Sequence, residues 1–81
     1  MQDDAFEWDP QKRLRNLEKH GLDFADAGMF DWAAAVTGVD GRRDYGEKRE
    51  TAVGLLAGQR VKITFTMRGR RRRIISMHRV T

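Results

Sequence analysis

The stretch Arg60-Val-Lys-Ile-Thr-Phe-Thr-Met-Arg68 alternates apolar and polar residues, with Val61, Ile63, Phe65 and Met67 facing one way and Lys62, Thr64, Thr66 and Arg68 the other. A period of two marks a β-strand with one buried face. Working back along the chain, Glu50 to Ala57 is also β-like and joins this strand through Gly58-Gln59, a hairpin turn. Working forward, Gly69-Arg70 makes a second turn into Arg71 to Val80, which carries Ile74, Ile75 and Met77. A short earlier strand covers Ala34 to Val39. These segments predict an antiparallel meander.

Upstream the period becomes helical. Asp9-Pro10 is a helix start, because Asp caps free amides and proline at the first helical position loses no hydrogen bond. The predicted helix runs from Pro10 to His20 and stops at Gly21. At about 100° per residue, Leu14 and Leu17 fall on one side, whereas Lys12, Asn16 and Lys19 cluster within about 60° on the other. Asp23 caps a second helix, in which Phe24, Ala27 and Phe30 recur before it ends near Asp31. The expectation is a single α+β domain over residues 1–81, with two N-terminal helices packed on one face of the antiparallel β-meander sheet.

An 81-residue chain is short, and no large active-site cavity is expected of it. At 40% hydrophobic residues it has enough apolar content for a packed core. The absence of cysteine excludes a disulfide scaffold, a thiol nucleophile and a thiolate metal site. The acidic N-terminus is unlike a secretory signal, and the longest apolar run, Trp32 to Val36, is far short of the roughly 20 residues that span a bilayer. A cytoplasmic protein without a membrane partner is expected.

Charge is divided unevenly. Residues 1–40 hold four basic and nine acidic side chains, a balance of −5, whereas residues 41–81 hold twelve and three, a balance of +9. The densest piece, Arg68-Gly69-Arg70-Arg71-Arg72-Arg73, suits a polyanion, since guanidinium groups stay charged and grip two phosphate oxygens at once. The same run also fits a solubilising turn or the docking surface of an acidic protein. No aromatic residues interleave with those arginines, so no base-stacking platform is indicated, and Trp8 and Trp32 read as packing residues.

The residues that could carry chemistry are Lys19 and His20 at the end of the first helix, Glu47 and Arg49 at the start of a strand, and Ser76, His78 and Arg79 on the last strand. Their spacing matches no metal site, and the separated glycines form no phosphate loop. What Lys, His and Arg can do without a metal is RNA cleavage. There the ribose 2′-hydroxyl attacks the adjacent phosphate, which calls for a proton acceptor, a proton donor and cations. Each residue also has a structural reading: Lys19 as a cation complementing the helix dipole, His20 as a helix cap, Glu47 with Arg49 as an exposed pair, and Ser76 and His78 as strand residues. Strand alternation sets Ser76 and Arg79 on opposite faces unless a bulge re-aims one of them.

Phe6-Glu7-Trp8-Asp9-Pro10-Gln11-Lys12, then Asn16 and Lys19-His20-Gly21, resembles the BrnT family of bacterial type II toxins. The likeness continues through Phe24, Ala27, Glu47-Lys48-Arg49 and Gly54-Leu55-Leu56 to Arg71-Arg72-Arg73-Ile74-Ile75-Ser76 and Arg79, nearly the whole chain. The resemblance implies a RelE-like α+β fold and a ribonuclease, metal-independent and without cofactor, that arrests translation. It also implies neutralisation by a BrnA-like antitoxin with a ribbon-helix-helix part, through which operator DNA is mainly contacted. On this reading Arg49 and Arg79 clamp the scissile phosphate, and Lys19 or His20 orients or deprotonates the 2′-hydroxyl. Ser76 adds a hydrogen bond, while Arg68, Arg70, Arg71, Arg72 and Arg73 hold flanking phosphates.

Three positions depart from the family pattern. His78 stands where arginine is common, Val80 where alanine is usual, and the sequence stops at Thr81 where many members continue into a helix. The first departure makes His78 a candidate acid or base. The alternative function is a non-catalytic nucleic-acid-binding or protein-interaction subunit of an autorepressor complex.

Overall fold

A computed structural model describes residues 5–40 and 48–80. Its elements are β1 (Phe6–Trp8), α1 (Pro10–His20), a 3-10 helix η1 (Phe24–Met29), β2 (Val36–Asp40), β3 (Arg49–Leu56), β4 (Gln59–Arg68) and β5 (Arg71–Arg79). The strands form one five-stranded sheet in the order β1-β5-β4-β3-β2.

From β2 to β5 the sheet is the antiparallel meander expected. The whole sheet is mixed, because β1 adds parallel to β5, with Phe6 opposite Arg72 and Trp8 opposite Ile74. Three residues are too few to display a period, which is why Phe6–Trp8 reads in the sequence only as the lead-in to a helix cap. The first hairpin turns at Ala57-Gly58 rather than Gly58-Gln59. Leu56 pairs with Gln59, and φ of 51° at Ala57 and 79° at Gly58 gives the two left-handed positions that a tight primed turn needs.

Val61, Ile63 and Phe65 of β4 are buried on one face as expected, but Met67 near the strand's end is 45% exposed, and Thr64 and Thr66 on the other face are buried, Thr66 donating to the Lys48 carbonyl. Ala52 and Leu56 of β3, Ile74 and Met77 of β5, and Phe6 and Trp8 of β1 join the three apolar residues. Phe24, Ala27 and Phe30 cover that core face from η1 and the residue after it. The second helix is therefore a 3-10 segment that ends before Phe30, short of Asp31, and Asp23 caps it through its bond to the Ala25 amide. Trp32 closes the cluster, stacked on Phe6 and edge-on to Phe30 and Phe65.

The first helix has the predicted bounds. Asp9 accepts from the Gln11 amide at 2.8 Å, and Gly21 ends the helix at φ 70°, with its N–H returned to the Leu17 carbonyl. Its orientation, however, reverses the expectation. Leu14 is 58% exposed and Leu17 39%, while the buried residue of the helix is Asn16. The reason lies at the sheet edge. Past Trp8 the chain leaves β1, and the outward-pointing amide and carbonyl of Met77 on β5 lose their strand partner. Asn16 supplies one: its carbonyl oxygen accepts from Met77 N–H at 3.1 Å and its amide donates to Met77 C=O at 2.9 Å. A second bond from that amide to the Leu22 carbonyl ties down the helix exit. The helix thus stands along the edge of β5 and does not lie across the sheet.

Candidate active site

Because α1 stands at the edge, a groove of about 320 Å³ opens between it and the C-terminal half of β5. The helix contributes Lys12, Arg15, Asn16, Lys19 and His20, and the strand contributes Ile75 and Ser76. Among the described residues no carboxylate lines it. Lys12, Asn16 and Lys19 recur at helical spacing, so one side of α1 delivers both the edge-closing amide and the cations beside it.

A β-bulge shapes the strand wall. Thr64 pairs with Ser76 but Phe65 pairs with Ile74, which leaves Ile75 as the extra residue. Beyond it regular alternation resumes. Ser76 and His78 share the face of their partners Thr64 and Lys62, whereas Met77 and Arg79 share the core face with Ile63 and Val61. Since the bulge precedes both residues, Ser76 and Arg79 keep opposite faces.

His78 then meets His20, which lines the groove, with ring centroids 5.7 Å apart and planes tilted by 39°. Partial burial, followed by the neighbouring His20 and Lys62, pushes the His78 pKa below its ordinary 6.5, which favours the neutral imidazole. Arg79 lies outside the groove and props it. Its guanidinium donates to the His20 carbonyl at 2.7 Å and to Gln59 Oε1, so it clasps the end of α1 to the start of β4.

The other candidates are dispersed. Arg49 shares a face with Ser76 and His78 but stands on β3, with β4 between it and β5. Glu47 lies outside the described residues. Alternation also divides the arginine run. Arg68 and Arg70 are exposed at the second hairpin, and Arg71 is exposed beside them. Arg72 turns to the core side, its guanidinium 4.2 Å above the Trp32 ring and its buried Nε without a hydrogen-bond partner. Arg73 pairs with Glu7 of β1 at 2.7 Å. The structure therefore brings Lys19, His20, Ser76 and His78 together, with Arg79 bracing His20, and leaves the other described candidates apart from them. Lys12 and Arg15 were passed over as site residues in the sequence, although their place beside Asn16 and Lys19 on one helical side was the available signal. Among the described residues, no group of three or more His, Cys, Asp or Glu side chains is arranged to hold a metal ion.

The chain was compared with known proteins. The family profile described as ribonuclease toxin, BrnT, of type II toxin-antitoxin system matches residues 8–81. The 1.1 Å crystal structure of the Brucella abortus ribonuclease toxin BrnT is similar at 30% identity and a TM-score of 0.74, over 95% of this chain and 96% of that one. No curated protein matches. A sheet-edge helix, a basic groove and this likeness agree: the chain belongs to the BrnT family of ribonuclease toxins of type II toxin–antitoxin systems.

Proposed function

We propose that this chain cleaves RNA by metal-independent transesterification in the groove between α1 and β5. The observation that carries this reading is the pair of imidazoles, His20 and His78, with ring centroids 5.7 Å apart, His20 lining a cationic groove. His78, favoured as the neutral base, takes the proton of the ribose 2′-hydroxyl as that oxygen bonds to phosphorus. The bond from phosphorus to the 5′-oxygen breaks, and protonated His20 gives the departing oxygen its proton. Products are a 2′,3′-cyclic phosphate and a 5′-hydroxyl. Burial and the neighbouring His20 lower the His78 pKa, which suits His78 to the role of proton acceptor. Lys12, Arg15 and Lys19 offset the charge gathering on phosphorus, and Ser76 hydrogen-bonds a phosphate oxygen. Arg49, Arg68, Arg70 and Arg71 attract flanking phosphates, and Arg79 acts by holding the helix end that carries His20. Cutting RNA would arrest translation, and a BrnA-like antitoxin with a ribbon-helix-helix part would neutralise the chain and contact operator DNA.

The test is incubation with single-stranded RNA in excess EDTA, followed by end-group identification. Wild-type protein is expected to yield 2′,3′-cyclic phosphate ends, and His78→Gln and His20→Gln to lose about 10²–10⁴-fold in rate. The wild-type rate should rise with pH through a limb centred below 6.5, since the base must be neutral and its pKa is lowered; His78→Gln should lack that limb. Cleavage that EDTA abolishes, or that survives both substitutions, overturns the mechanism. Salt-sensitive binding with no cleavage supports the non-catalytic alternative.

A further inference from the structure

Strand β2 ends the sheet on the side away from α1, and its outer edge meets no strand among the described residues. Edge strands of soluble proteins ordinarily carry a lysine, a proline or a bulge that discourages further pairing. Val36-Thr37-Gly38-Val39-Asp40 has none of these, and its register with β3 is unbroken. Val36 is 75% exposed and Val39 62%, on opposite faces of the strand. Beside Val36 lies a second groove, of about 560 Å³, walled by Ala34, Val53 and Leu55 and bounded by Arg60. Lys62 shares that face through its pairing with Val53.

We propose that this edge receives an extended segment of the antitoxin as an added strand, with apolar side chains entering the groove at every second position and a carboxylate against Arg60. The proposal rests on the reading that an antitoxin binds this chain. The backbone of β2, which pairs with no strand on its outer side among the described residues, supplies the hydrogen bonds, and the alternating side chains select the sequence. Charge fixes the type of occupant: Arg60 bounds the groove and Lys62 shares its face, so an acidic segment is attracted. A second copy pairing through its own five-residue strand alone falls short of the roughly 1,200 Å² that stable complexes bury. This groove shares no lining residue with the one between α1 and β5, so the docking edge is distinct from the cleavage site.

Hydrogen exchange of the wild-type chain, alone and with its cognate antitoxin, tests the idea. The outward amides of residues 36–40 are expected to slow at least about tenfold in the complex and to be unchanged by RNA. The double substitution Val36→Lys with Val39→Lys should weaken the complex by about tenfold or more and leave RNA cleavage unchanged. A complex that forms while those amides exchange as in the free chain overturns the edge site and leaves the antitoxin reading standing. RNA cleavage with no complex at all removes the antitoxin reading, and the edge proposal with it. Protection that grows with concentration of the chain alone identifies a second copy as the occupant, against the proposal.

Discussion

The outer edge of β5 is closed in two ways. Its N-terminal half pairs with the backbone of β1, and its C-terminal half with one side chain, Asn16. Where a strand closes the edge, the neighbouring surface is ordinary core, with Phe6 and Trp8 buried. Where a side chain closes it, the chain is free to be a helix, and a helix standing at an edge leaves a groove along the strand. The groove between α1 and β5 thus follows from a substitution of amide for strand. The comparison holds only if Asn16 carries a load approaching that of β1.

Removing the strand's anchor should have the largest effect. Trp8 is 6% exposed in the main cluster, and Trp8→Ala is expected to cost about 3–5 kcal/mol in denaturant unfolding. Asn16→Ala comes next. It strands the Met77 amide and carbonyl, each buried polar group costing about 1–3 kcal/mol. Since water can reach this sheet edge once the amide is gone, a loss in the lower part of that sum, about 2–4 kcal/mol, is expected, with faster exchange at Met77. Asn16→Asp sharpens the point. An aspartate still accepts from Met77 N–H but sets an oxygen against the Met77 and Leu22 carbonyls, so it should rescue little. A loss below about 0.5 kcal/mol for Asn16→Ala, the range of an ordinary surface change, would break the comparison.

The two halves also differ in how far the sequence announced them. β4 states its period over a whole strand, and Val61, Ile63 and Phe65 follow from it, whereas exposed Met67 and buried Thr64 and Thr66 do not. Asp9-Pro10 and Gly21 bound α1 because caps are local chemistry. What the sequence could not show is which side of α1 turns inward. Helical periodicity assumes burial is apolar, and here an asparagine's long-range bonds to Met77 outweigh two leucines. Lys19 and His20 were legible as candidates by residue type alone. Their meeting with Ser76 and His78 depends on the edge placement and on the bulge at Ile75, neither of which leaves a local pattern. The arginine run misleads in the opposite direction, since alternation hands Arg72 to Trp32 and Glu7 takes Arg73.

A smaller effect is expected where α1 hands over to η1. Asp23 accepts from Arg13 at 2.7 Å and caps η1 through the Ala25 amide. The Arg13 bond first, with help from the Ala25 amide, holds its carboxyl below the ordinary 3.8. A depressed carboxyl stabilises the fold fully above that ordinary value, and the contribution is lost as pH falls through the folded-state pKa. Asp23→Ala is expected to cost about 1 kcal/mol at neutral pH, mostly as a lost cap, with the gap to wild type closing in acid. Equilibrium unfolding at pH 7 and pH 3 checks both the size and the sign. A gap that widens in acid would contradict the geometry.

The smallest effect is the one a sequence-only view would rank among the largest. Were α1 packed by its leucines, Leu14→Gln would remove a core contact and cost about 2–5 kcal/mol, as buried leucines do. Leu14 is 58% exposed, so the expected change is within about 0.5 kcal/mol. Comparing Leu14→Gln with Asn16→Ala in one unfolding series therefore reads out which side of the helix faces the sheet. Near-neutral glutamine beside a costly alanine requires the amide-closed edge, and the opposite ranking would rotate α1 and move Lys12 and Lys19 away from β5.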